Sequence, residues 1–190
     1  TGPALISFLL IQPLNTLTKQ LSVFAVIIAG VYPFTKRFFS LPQAVLGVAF
    51  GFGIPMAFAA IQNTIPFEAW VLFLGNIFWA IAYDTAYAMV DRDDDLRLGL
   101  KTSAITFGRY DRHWIAFFYL MTVLLLAASG NLLGYGLPFH LSLVVAALLA
   151  CLHLYWIRNR ERQACFKAFL HNTWFGTVIF VGILFETTSL

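Results

Sequence analysis

Six apolar runs, near 15–35, 41–60, 68–90, 113–130, 138–157 and 167–187, fill most of this chain. Each has about the 20 mostly apolar residues a spanning helix needs. Lipid offers no partner to a free backbone N–H or C=O, so runs of this kind fold as helices bonded within themselves. The expectation is an all-α fold, a polytopic transmembrane helical bundle forming one domain over 1–190. Only 11% of residues are charged, against about a quarter in soluble domains. The net charge of +3 gives no reason to expect nucleic acid as a partner. The basic residues stand between apolar runs, where membrane topology accounts for them.

The connecting segments alternate in charge. TKRFFS carries Lys36 and Arg37, and AIQNTIPFE carries no Lys or Arg. The segment from Asp91 to His113 carries Arg92, Arg97, Lys101, Arg109 and Arg112, and GNLLGYGLPFH carries none. IRNRERQACFK carries Arg158, Arg160, Arg162 and Lys167. Positive charge concentrates on cytoplasmic loops, which predicts a multi-pass membrane protein with its C-terminus on the outer side. Lys19 is the exception. A further run, PALISFLLI, has nine residues before Gln12-Pro13, too few to span. It reads as the end of a helix begun upstream of Thr1, and the chain as the C-terminal portion of a longer protein.

Five of the nine acidic residues fall in YDTAYAMVDRDDDLRLGLKTS, 83–103, directly after an apolar run. On a helix at about 100° per residue, Asp91 and Asp95 lie within about 20° of Asp84. The three form one stripe rising from inside the membrane to its surface and predicted to lie on the cytoplasmic side. Tyr87 and Asp94 lie to one side, Asp93 on the opposite face and Arg92 on the other flank. Three like charges on one stripe repel, and a carboxylate within the bilayer is costly. Mg²⁺, an oxygen-seeking cation that shares its shell between carboxylates, water and substrate phosphate, would compensate. Arg92, Arg97 and Lys101 would contact the same phosphates. Asp91, Asp93 and Asp95 do not make a calcium loop, because Leu96 and Thr102 stand where it needs Gly and Glu.

These residues carry a resemblance. The 83–103 stretch resembles the second Asp-rich motif of the UbiA superfamily of membrane prenyltransferases, with Asp84, Tyr87, Asp91, Asp95, Gly99 and Lys101 in register. With YPFTKRF, LPQAVLG, IPMAFAA and RERQACFKAF, essentially the whole chain is similar to the 4-hydroxybenzoate polyprenyltransferases of that superfamily. The resemblance implies nine transmembrane helices and two Asp-rich motifs facing each other across a cavity. It implies Mg²⁺-dependent transfer of a polyprenyl group from polyprenyl diphosphate to the ring of 4-hydroxybenzoate, in ubiquinone biosynthesis. Asp91 and Asp95 would be the metal pair, and Asp84 would support the metal or the phenolic substrate. Tyr87, Arg92 and Lys101 would contact substrate. Tyr32, Lys36 and Arg37 would meet the diphosphate or the substrate carboxylate, or the two cations would simply anchor a helix end at the membrane surface.

One departure stands out. The family's first motif, Asn-Asp-x-x-Asp, is not in these 190 residues; it would lie upstream, and the chain alone is expected to be inactive. Three rival readings remain: the same chemistry on another aromatic acceptor, a CDP-alcohol phosphotransferase, and a divalent-cation transporter. The second would need Asp-Gly-x-x-Ala-Arg, which this sequence lacks. The third would spread acids over several helices near the midplane, whereas Glu68, Asp111, Glu161 and Glu186 sit near run ends.

Overall fold

The computed structural model describes residues 2–188, with the side chains of Pro3 and Thr188 outside that description. The described residues form α1 (Gly2–Ile11), α2 (Thr16–Thr35), α3 (Pro42–Gly51), α4 (Gly53–Gln62), α5 (Phe67–Arg97), α6 (Ser103–Phe107), α7 (Asp111–Leu132), α8 (Leu137–Trp156) and α9 (Arg162–Thr188). Short 3₁₀ turns precede α7 and follow α8. Six stretches are long and apolar enough to cross a membrane: Thr16–Thr35, Pro42–Gln62, Phe67–Arg97, Ser103–Leu132, Leu137–Asn159 and Arg162–Thr187. The fold is an all-α multi-pass membrane bundle.

The 41–60 run is interrupted at Phe52, between α3 and α4. Pro55 explains the break, since its ring opposes the carbonyl four residues earlier, at Gly51, and its nitrogen has no hydrogen to donate.

The core is organised around α5, the most enclosed of the six spans, which packs against α3, α7 and α9. α2 lies on α3 and α4 and is the least enclosed. Gly47 lets α3 meet α5 closely: a Cβ there would stand 2.9 Å from the Ile77 Cα. Small residues at such crossings are the membrane route to tight packing.

α5 has 31 residues. At about 1.5 Å per residue that is about 46 Å, well beyond a hydrocarbon core of about 30 Å. Its last turns therefore stand clear of the apolar slab. At the same end the connecting segments tie together. The Lys101 N–H donates to the Lys36 carbonyl (2.7 Å) and Lys101 Nζ to the Phe38 carbonyl (3.1 Å). Thr106 Oγ1 donates to the Ser40 carbonyl, and Arg112 to the Arg158 carbonyl. The opposite end is joined by Asn15 to the Ala59 carbonyl and by the Phe139 N–H to Glu186. Every Lys and Arg except Lys19 belongs to the first end.

Candidate active site

The acidic stripe lies on the last four turns of α5, which runs unbroken through Asp91 and Asp95 to Arg97. Asp84 and Asp95 are buried and Asp91 is half-buried, while Asp93 and Asp94 are exposed. The helical period alone accounts for that contrast, since Asp84, Asp91 and Asp95 share the inward face. Lys36 and Asp91 act electrostatically on both Asp84 and Asp95. Tyr32 lies in the field of Asp84, and Tyr87 lies in that of Asp91. Tyr32 and Lys36 are one turn apart at the end of α2, on its half-buried side. Thus Tyr32, Lys36, Asp84, Tyr87, Asp91 and Asp95 form one neighbourhood.

Arg92, Arg37 and Lys101 stand around this neighbourhood, Lys101 joined to it by its N–H on the Lys36 carbonyl. Arg92 turns to the far flank of α5, with Nη1 3.5 Å from Asp111 Oδ2. Arg37 is exposed on the loop after α2. Lys101 is exposed at the same end, its ammonium on the Phe38 carbonyl. Asp94 is taken by Arg162 at 2.6 Å and by Arg97 at 3.8 Å.

Two supports escaped the sequence reading. Gln43, buried on α3, stands beside Asp84 and accepts the Ser103 N–H at 3.0 Å. Thr85 donates to Ser103 at 2.7 Å. These partners come from segments 18 to 60 residues apart, and the only local hint was a polar Gln43 within LPQAVLG.

Asp95 Oδ2 is buried without a hydrogen-bond partner. A buried carboxylate oxygen left unpaired costs several kcal/mol. It becomes favourable when a cation meets it. The donor set (carboxylates, phenols and no thiolate) has the hard-oxygen character that suits Mg²⁺. Among the described residues no three His, Cys, Asp or Glu side chains come close enough to cage an ion. Asp91 and Asp95 stand one turn apart on α5.

Fold and site together define a class: an α-helical multi-pass membrane protein with a cation-suited carboxylate face where one core helix leaves the bilayer. The chain belongs to the UbiA prenyltransferase family, whose model matches residues 3–176. It is 59% identical over 180 residues to a 4-hydroxybenzoate octaprenyltransferase of Paraburkholderia phytofirmans, covering 95% of this chain and 63% of that protein. It is 61% identical over 179 residues to the enzyme of that name from Cupriavidus metallidurans, covering 94% of this chain and 61% of that protein. The chain thus spans somewhat under two thirds of the length of these curated relatives. The apo structure of a UbiA homolog from Aeropyrum pernix K1 shares the fold, with a TM-score of 0.76 at 24% identity, over 92% of this chain and 66% of that one.

Proposed function

We propose that the acid-bearing end of α5 binds a polyprenyl diphosphate with Mg²⁺, and that the protein transfers the polyprenyl group to the ring of 4-hydroxybenzoate. The observation that carries the diphosphate site is the unpaired, buried Asp95 Oδ2 on the same face as Asp84 and Asp91, opposite Lys36. The names of the two bacterial relatives support the acceptor.

Asp91 and Asp95 would hold the cation, with Asp84 supporting it or the phenol. Bound Mg²⁺ supplies positive charge to the leaving diphosphate. Lys36 adds a point charge on the side facing α2. The bond from the first prenyl carbon to oxygen breaks, and its electron pair leaves on the diphosphate. The ring carbon ortho to the hydroxyl bonds that prenyl carbon, and the ring then loses a proton. Tyr32 and Tyr87 line the approach and offer hydroxyls to the acceptor or the phosphates. Arg37 and Lys101 remain available at the rim, and Arg92 contributes through its hold on Asp111. The apolar interior keeps water from the allylic cation. Concentration of Lys and Arg at the acidic end supports placing that end in the cytoplasm of a bacterial cell, with the C-terminus periplasmic. The lipid bilayer itself delivers the polyprenyl donor, and the product belongs to ubiquinone biosynthesis.

The test is a transfer assay in membranes on the natural full-length protein, with labelled 4-hydroxybenzoate, a polyprenyl diphosphate and Mg²⁺. Mg²⁺-dependent labelled lipid is expected. Turnover only with another aromatic acceptor, such as a naphthoate, would overturn the acceptor assignment.

A further inference from the structure

Farther down α5 from the acidic stripe stands Trp79, half-buried, its indole held by α9 and by Tyr83. It stacks on Phe175 (centroids 5.5 Å, interplanar 27°) and meets Tyr83 edge-on at 5.5 Å. Gly176 lies beneath it: a Cβ there would stand 2.6 Å from the indole Cη2. Its Nε1–H donates to Asn172 Oδ1 at 3.1 Å. Asn172 Oδ1 also accepts from the Tyr119 hydroxyl at 2.9 Å, and Asn172 Nδ2 donates to the Ala168 carbonyl. The Tyr119 hydroxyl meets His153 Nδ1 at 3.1 Å, and His153 Nε2 meets His171 Nδ1 at 3.0 Å. One tautomer assignment satisfies every link: His171 donates to His153, His153 to Tyr119, and Tyr119 to Asn172. A polar chain through α7, α8 and α9 inside a membrane is costly unless fully satisfied. A plain greasy wall needs none of it.

The fixed indole separates two hollows. One, of about 440 Å³, reaches Tyr83 beside Asp84 and is walled by Phe50 and Phe169. The other, of about 240 Å³, lies deeper among Leu72, Leu126 and Ile183 and is almost wholly apolar. Asn76 and Trp79 line both.

We propose that Trp79 is a donor-tail specificity residue, a fixed divider against which the isoprenoid chain packs after it leaves the acidic stripe, held by Asn172, Tyr119, His153 and His171 as positioning residues. This rests on the prenyl-transfer reading above. Trp79 and Asp91 are twelve residues apart on one helix, about 18 Å along its axis and about 120° around it, with Tyr83 between them in the field of Asp84 and Tyr32. With the diphosphate at Asp91 and Asp95, the two isoprene units of a geranyl group stop short of the indole. The four units of a geranylgeranyl group reach it.

The experiment measures KM for geranyl and geranylgeranyl diphosphate with the full-length protein and its Trp79→Ala, Trp79→Phe and Tyr119→Phe variants in membranes. Loss of a large apolar contact raises KM for geranylgeranyl diphosphate about tenfold in Trp79→Ala, with the geranyl value little moved. Tyr119→Phe, which only loosens the indole, shifts the same ratio in the same direction by less. Trp79→Phe keeps a ring at the site and decides the matter if the alanine variant does not fold: its ratio must also move toward geranyl. Equal effects on both donors in variants that turn over would overturn the divider while leaving prenyl transfer intact. A parent that transfers neither group would overturn the prenyl-transfer reading and this inference with it.

Discussion

Arg160 grips the fully buried Asp111 carboxylate with both arms, Nη2 at 2.7 Å from Oδ1 and Nε at 2.9 Å from Oδ2. It does so from a left-handed backbone conformation, φ 58°, a cost that the bidentate pair offsets. The same guanidinium donates to the Arg109 carbonyl, and Arg92 on α5 completes the set. Asp111 thus ties the start of α7 to α5 and to the segment before α9. Asp111→Ala takes the counter-ion from two guanidinium groups that are each about a third exposed, and a loss of about 1.5–3 kcal/mol is expected. Denaturant titration in mixed micelles measures it; an unchanged midpoint would show that the bundle does not depend on this hub.

Lys36 and Arg92 are separated by the same logic. Lys36 faces Asp84 and Asp95, whereas Arg92 faces Asp111. A hydrogen bond to a charged group is worth about 1.5–3 kcal/mol. Lys36→Met is therefore expected to raise the KM for diphosphate about tenfold or more, with little loss of stability. Arg92→Met is expected to reverse the pattern, lowering the unfolding midpoint more than it alters KM. Paired kinetic and unfolding measurements on both variants decide this, and a large KM effect confined to Arg92→Met would return that residue to the phosphate.

Gly47 sits where α3 crosses α5. A Cβ would meet the Ile77 Cα, the Ile77 carbonyl and the Ala80 Cβ at 2.9–3.0 Å, and neither backbone atom can swing aside. Gly47→Val is expected to destabilise the bundle by about 1–3 kcal/mol through overpacking. Gly53, with nothing within 4 Å of its would-be Cβ, serves as the control in the same unfolding series.

The fold class could be read from hydropathy because lipid leaves the backbone so few choices. The inward face of the acidic stripe could be read because Asp84, Asp91 and Asp95 share one helix and the helical period places them. Contacts between helices could not. Arg92 lies near the stripe in sequence, yet its partner Asp111 is 19 residues on, across a turn. Gln43 reaches the site from 60 residues before Ser103. The four histidines look scattered along the chain, and His153 and His171 meet only because α8 and α9 pack side by side. The break at Phe52 had a local signal in Pro55, masked by an apolar run on both sides.

The proposed chemistry depends on the Asp91–Asp95 face holding the cation that carries the diphosphate. Its most direct measurement is the Mg²⁺ dependence of geranylgeranyl diphosphate binding by the natural full-length protein, beside Asp95→Asn and Asp91→Asn. Asparagine keeps the shape and removes the charge. Mg²⁺-dependent binding in the parent, weakened about a hundredfold or more in both variants, is expected. Unchanged Mg²⁺-dependent binding in both variants would contradict the claim and leave the buried, unpaired Asp95 oxygen to be explained by the fold alone.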